Sequence, residues 1–377
     1  MGNLKRLFYS SFFSGIALGA LGVILPLYLS ERFNTSLTSM GLIFSAYSLF
    51  FALMQIPSSY IGDKFSRKKV IVLSSIIESL ALLIYGFAKN TYYFVLGKGF
   101  EGLSQSLSRS PSNALLIDLS ERDRFSESFG NLIGYYSIGY VIGFFIAGFL
   151  VSPLGYSESI LILLLFQLIS IFFVFSISDS RKPAEIKFNL SKFLSKPNRN
   201  LKILGITGFI VTFVEYMDYT VTVIFIRDKF SASIIQIGII MGLSWLAFGL
   251  MQIVFGKYAD RVGKKKLYFI GSFSAAILML LIPHMSSIIY FLILFTMLYC
   301  LQGIAFPAVK GLIADSTSKK YRSQDFGLVT TLEQFGPFFG LPIMGFIADN
   351  MGFNAAYYVR SIVNILAVLI VMKFVKE

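Results

Sequence analysis

A chain of 377 residues that is 55% hydrophobic, 16% aromatic and only 14% charged, with a mean hydropathy of +0.73, is excluded from the soluble globular class and reads as an integral membrane protein. The formal net charge of +13 would suggest nucleic acid in a soluble protein, but here the basic residues crowd short segments between apolar runs, so the charge reports topology. Cys300 and His284 are the single cysteine and histidine, which leaves no intramolecular disulfide and no Cys/His metal cluster.

Taken in chain order, the apolar runs predict helices near Leu7–Leu29, Leu37–Ile61, Val70–Phe87, Tyr92–Leu116, Phe125–Val151 and Ser159–Ile177. A second series follows at Ile203–Ile226, Ile234–Tyr258, Leu267–Pro283, Ile288–Ile313, Phe326–Ile347 and Ala355–Phe374. Each is close to the ~20 residues that, at ~1.5 Å rise, cross a ~30 Å hydrocarbon core. The expectation is therefore an all-α integral membrane protein with twelve transmembrane helices. Lys and Arg concentrate in the termini and even-numbered connections, including Lys5, Arg6, Lys64, Lys69, Arg122, Lys257 and Lys319. The opposite loops hold only Arg32, Lys89, Arg227 and Lys229, with Arg360 at a helix start. Positive loops stay inside, so both termini are expected to be cytoplasmic and the protein to be a multi-pass component of the plasma membrane.

The two series are copies. Ser36 to Lys69 reappears, shifted by 197 positions, as Ser233 to Lys266, with Met54/Met251, Gln55/Gln252, Asp63/Asp260, Lys68/Lys265 and Lys69/Lys266 shared without a gap. The same shift pairs Asp118 with Asp315, Gly139 and Gly143 with Gly336 and Gly340, and Gly155 with Gly352. A register held this far indicates a duplicated domain. The expected organisation is a six-helix bundle over residues 1–177, a cytoplasmic linker over 178–200 and a second bundle over 201–377. The linker is polar and basic; its apolar residues suit either a short helix on the inner leaflet or a plain flexible connection.

Two parallel six-helix repeats, a basic linker and an acidic–basic loop after the second helix of each half resemble the major facilitator superfamily (MFS). The superfamily's loop signature, G-x-x-x-D-R-x-G-R-[RK], is nearly complete in Gly256, Asp260, Arg261, Gly263, Lys264 and Lys265. The first copy keeps Asp63, Arg67 and Lys68. The fourth helix resembles the R-x-x-Q-G element, with Lys98, Glu101 and Gly102 in its places, whereas the antiporter element G-P-x-x-G has Tyr140 for its proline between Gly139 and Gly143. The resemblance implies the MFS fold, with Asp63 facing the helix start near Phe326 and Arg67 meeting Asp118 in a cytoplasmic latch. The repeat implies the mirror set, Asp260 facing the start near Phe125 and Lys264 meeting Asp315. A positive-inside loop and nothing more is the plainer reading.

Intramembrane charges are costly and tend to mark a pathway or relay. Lys98, Glu101, Gln105 and Arg109 are spaced three, four and four apart, on one face of the fourth helix, and are expected to line the cavity between halves. Lys98 and Glu101 could equally be a structural ion pair. Glu215 and Asp218 lie three apart in the seventh helix, near the midplane where secondary transporters bind solute, with Tyr219 on roughly the same face. Two carboxylates this close resist ionising together, which makes them a candidate proton site; pairing with a cation such as Lys98, or helix packing, are the alternatives. Glu333 joins the candidate pathway, Lys310 can snorkel, and Glu78 is expected to turn inward with Ser75 in a structural role. The glycine pairs 139/143 and 336/340 are small-xxx-small spacings for close helix approach.

No nucleotide loop, nucleophile or metal cluster is visible, so no enzyme, metal or cofactor is expected. The expected function is secondary active transport of a small organic solute by alternating access, driven by H+ and directed at export of neutral or cationic amphiphiles. Symport of a sugar or organic anion is the second reading, and a membrane receptor or enzyme a remote one. The expected partners are the solute and the bilayer, not nucleic acid, with the chain acting as a monomer.

Overall fold

The computed structural model describes residues 2–120, 125–178, 198–256, 258–317 and 322–376. Within them the chain is helical, as a backbone in hydrocarbon requires, because a helix satisfies every N–H and C=O within one segment. The helices are α1 (Asn3–Phe33), α2 (Leu37–Lys64), α3 (Arg67–Gly86), α4 (Thr91–Leu119), α5 (Phe125–Leu154) and α6 (Tyr156–Phe175). They continue as α7 (Arg199–Glu215), α8 (Val221–Phe230), α9 (Ile234–Gly256), α10 (Ala259–Val262), α11 (Lys264–Met279), α12 (Ile288–Asp315), α13 (Arg322–Met351) and α14 (Phe353–Phe374). Ten stretches among the described residues are long and apolar enough to cross a membrane. The fourth and eleventh expected spans, α4 and α13, are not among them.

The expected seventh helix, Ile203–Ile226, is not continuous. It is α7, a 3-10 turn over Tyr216–Tyr219, and α8, joined through Thr220 at φ −132°, ψ −78°. The linker expected at 178–200 falls mostly outside the described residues, as do the side chains of Asp63 and Asp260, so the two latch contacts expected of those aspartates do too.

The chain forms two compact units. One comprises Met1–Thr35, Ala46–Phe188 and Ser233–Gly242; the other Ser36–Ser45, Asn189–Ala232 and Leu243–Glu377. These bounds follow the two halves of the repeat except in Ser36–Ser45 and Ser233–Gly242, which are themselves repeat mates. Within the second unit, Asp349 caps the free first turn of α2: it accepts from the backbone N–H of Leu37 at 3.0 Å and Thr38 at 2.8 Å, and from the Thr38 hydroxyl at 2.6 Å.

Each unit carries the same core. Leu7, Ile71, Leu115, Leu116, Leu132 and Val174 cluster in the first, and Leu204, Tyr268, Leu312, Ile313, Val329 and Val371 cluster in the second. Every one of these pairs is separated by 197 positions, so the repeat preserves core positions where residue identity has drifted. Gly155 and Gly352 take the same φ of +85° immediately before α6 and α14, a backbone region that side-chain-bearing residues avoid.

The small-xxx-small glycines do close two helix pairs. A Cβ at Gly139 or Gly143 would collide with the carbonyl oxygens of Phe12 or Ile16 on α1, and one at Gly336 or Gly340 with Thr212 or the Phe213 carbonyl on α7. Helix association in lipid depends on such approach.

Candidate functional site

Two polar clusters lie inside the helices, one in each unit. In the first, Lys98 and Glu101 are buried and bonded, Nζ to Oε2 at 2.8 Å, and the same oxygen accepts from the Tyr85 hydroxyl at 2.9 Å. Their i,i+3 spacing on α4 puts the cation and anion on one face, and the aromatic donor comes from the end of α3. Gln105 turns to α3, its Nε2 3.5 Å from Glu78 Oε2. Arg109, one turn further along α4, is exposed, with its guanidinium 5.7 Å from the centre of the Phe51 ring. The expected stripe is therefore not uniform: its Lys98–Glu101 end is a buried ion pair and its Arg109 end is exposed. Glu78 does turn inward, at 2% exposure, with Ser75 also buried.

The second cluster corrects the expected carboxylate pair. Asp218 is bonded by both terminal nitrogens of Arg360, one of them at 2.8 Å, and also accepts from Tyr299 Oη at 2.9 Å and Thr222 Oγ1 at 2.8 Å. Tyr357 donates in turn to Thr222 Oγ1 at 3.0 Å. Arg360 is the eighth residue of α14 and has no exposed surface, so it is neither at a helix start nor a topology charge. The cation that answers Asp218 is thus Arg360, not Lys98. The break between α7 and α8, which contains neither Gly nor Pro, carries Asp218, whose side chain bonds to α8, α12 and α14.

Glu215, at the last residue of α7, is only partly buried and accepts from Gln302 Nε2 at 3.2 Å. Tyr219 stacks obliquely on Tyr216, ring centres 6.0 Å apart. Glu333 is held by Lys310, whose Nζ lies 2.8 and 3.0 Å from its two oxygens. Lys310 therefore pairs within the second unit in place of snorkelling.

Two of the expected ion pairs at the helix ends are present. Arg67 bonds Asp118 and also donates to the Ala114 carbonyl at 2.6 Å, while Lys264 meets Asp315 at 2.6 Å. Both link the third helix of a half to the end of its fourth.

Arg360, Tyr299, Gln302, Tyr85 and Tyr357 were not among the expected site residues. A signal for one was present: Gln302 stands 197 positions after Gln105.

Chemically, the two clusters offer ion pairs whose charges are already answered and two carboxyls, Glu78 and Glu215, whose side-chain donors are amides. With ten apolar spans, a duplicated core and ion pairs buried among the helices, the molecule is built as a membrane carrier. It belongs to the Major Facilitator Superfamily, whose model matches residues 7–206 and again 204–377. Multidrug resistance protein 2 of Bacillus subtilis is 24% identical over 352 residues, covering 89% of this chain and 86% of that protein. Multidrug resistance protein MdtG of Proteus mirabilis is 26% identical over 374 residues, covering 94% and 91%. The crystal structure of nucleoside transporter NupG superposes with a TM-score of 0.82 at 17% identity, covering all of both chains. The protein is accordingly a multi-pass transporter of the cell membrane and not an enzyme.

Proposed function

We propose that the protein is a proton-coupled secondary transporter that exports neutral or cationic amphiphiles by alternating access, with Glu215 as its coupling carboxyl. In this reading twelve helices span the bilayer with both termini cytoplasmic. The ten apolar spans are joined by α4 and α13, which fail on composition because they carry Lys98, Glu101 and Arg109, and Glu333 and Asp349.

The carrying observation is the division of labour at the α7 break. Asp218 is fixed by Arg360 at full burial, whereas Glu215, three residues away, is partly exposed and held only by the Gln302 amide among the described side chains. A proton arriving at Glu215 breaks no ion pair. One arriving at Asp218 strands a buried guanidinium, which costs several kcal/mol on the scale of about 3–5 for broken buried pairs. Export of cations or neutral molecules fits the charge balance, since Lys98, Lys310 and Arg360 are each engaged by a carboxylate. The two drug-resistance relatives support that direction.

The protein acts without a cofactor in this scheme. Everted membrane vesicles carrying it should accumulate ethidium, a cationic amphiphile, when a proton gradient is imposed, and Glu215→Gln vesicles should not. Gradient-driven accumulation unchanged in that variant would refute the assignment.

A further inference from the structure

Lys98, Lys310 and Arg360 are each bonded to a carboxylate, whereas Arg109 makes no hydrogen bond and no ion pair among the described residues. A guanidinium does not deprotonate in proteins, so this charge is permanent. The helix ends at Leu119, which leaves Arg109 about 15 Å short of that end and well inside a ~30 Å hydrocarbon core. A snorkelling arginine sends its head to the interface, but this one lies 5.7 Å from the centre of the Phe51 ring, a side chain only 2% exposed. An exposed charge at such depth faces water inside the protein and not lipid.

The groups around it leave the cation to a ligand. From α2 comes the Phe51 ring, and from α5 comes Tyr136, whose hydroxyl interacts electrostatically with the guanidinium and makes no hydrogen bond among the described residues. From α4 itself comes Gln105, whose amide is turned to Glu78. The buried acids of this unit are engaged elsewhere: Glu101 accepts from Lys98 and Tyr85, and Arg109 is not among the charges that act on Glu78. The fork of Arg109 and the phenol of Tyr136 are therefore donors without a protein acceptor.

The other copy contains the acid that this one lacks. Phe51, Arg109, Asn113 and Tyr136 stand 197 positions before Phe248, Phe306, Lys310 and Glu333. In the second unit the Phe248 and Phe306 rings pack 5.7 Å apart, and Lys310 Nζ lies 5.4 Å from the centre of Phe306 while bonded to Glu333. Both copies thus set a cation over a ring at this position. The carboxylate that answers it in the second copy is replaced by Tyr136 in the first. Its place is taken by a hydrogen-bond donor, so the position that supplies an anion in one unit calls for one in the other.

We infer that Arg109 and Tyr136 form a binding site, in the first unit, for the oxyanion of an organic molecule with an apolar body. The planar fork takes a carboxylate or phosphate through two parallel bonds, and the phenol donates to the same group. Phe51, with the Tyr136 and Tyr140 rings whose centres are 5.7 Å apart, gives the apolar body a surface. A solute carboxylate and a lipid phosphate share this chemistry. With a solute as the source, the range widens past neutral and cationic amphiphiles to those that carry a carboxylate.

The test is equilibrium dialysis of 1-naphthoate against the purified full-length protein, in phosphatidylcholine nanodiscs and in dodecyl maltoside, a detergent without phosphate. Wild type should bind naphthoate, and Arg109→Gln should bind it roughly ten- to hundredfold more weakly. Arg109→Lys, which keeps the charge without the fork, should fall between them. Tyr136→Phe should lose roughly three- to tenfold, and it carries the test if Arg109→Gln does not fold. The neutral isostere 1-naphthamide should bind wild type and Arg109→Gln alike. Naphthoate binding in nanodiscs identifies a solute carboxylate as the ligand, and binding confined to maltoside identifies a lipid phosphate as the occupant in a bilayer. No binding by wild type in either medium, equal binding by wild type and Arg109→Gln, or naphthamide weakened as far as naphthoate in that variant would overturn the site. Glu215→Gln should bind naphthoate as wild type does, so the coupling assignment and this site fail separately.

Discussion

The polar cluster around α4 and the one around the α7 break solve one problem by different means. Each holds a salt bridge backed by a tyrosine, Lys98–Glu101 with Tyr85 and Arg360–Asp218 with Tyr299, and each sets beside it a carboxyl answered by a glutamine. In the first unit the pair is local, three residues apart on one helix; in the second it spans 142 residues and joins two elements. A local pair can re-form within its own turn, whereas the long-range one fixes a helix break. The difference teaches that the rigid polar core lies in the second unit, around the carboxyl assigned to coupling.

Breaking the comparison at its strongest point should give the largest effect. Arg360→Leu leaves Asp218 buried without its cation, and the expected loss is about 3–5 kcal/mol, read as a large fall in unfolding temperature. The double variant Asp218→Asn/Arg360→Leu should recover most of it, since removing both charges of a buried pair is often neutral. The corresponding Lys98→Leu change in the first unit should cost less, because the Lys98 and Glu101 side chains each keep 9% exposure whereas Arg360 keeps none.

Helix closure sharpens the same contrast at the next level. Gly340→Ala pushes a methyl into the Phe213 carbonyl and Gly143→Ala one into the Ile16 carbonyl, so each should destabilise by about 1–3 kcal/mol. Gly130→Ala, with nothing within 4 Å of the added carbon, should leave thermal stability unchanged.

The smallest effects belong to the exposed pairs. Asp315 is 59% exposed and Asp118 34%, so truncating Lys264 should cost about 0–1 kcal/mol, and truncating Arg67, which also bonds the Ala114 carbonyl, somewhat more. Both losses should shrink further in high salt.

Much of this architecture was legible in the sequence because it repeats. The core positions recur at a fixed shift, the Arg67–Asp118 and Lys264–Asp315 pairs follow from the duplicated loop, and the glycines that touch α1 and α7 stand at the same places in both halves. What was not legible breaks the repeat or is distant along the chain. Arg360 stands opposite Leu163 in the first copy, so nothing local marks it as the partner of Asp218. The α7 break occurs in Tyr216-Met217-Asp218-Tyr219-Thr220, which holds no Gly or Pro to mark it, and its Asp218 bonds to the distant α12 and α14. Fewer charged residues define apolar spans than define the pathway, which is why α4 and α13 stand apart on hydropathy. The amide pair Gln105/Gln302 sat in the register all along, but only the structure gives an amide its partner.

The most direct measurement is proton movement driven by solute in proteoliposomes, compared between wild type and Glu215→Gln with ethidium as the probe. The account predicts that an imposed ethidium gradient moves protons in wild type and moves none in the variant, while ethidium exchange without a proton gradient persists in both. Proton movement at the wild-type rate in Glu215→Gln would contradict it.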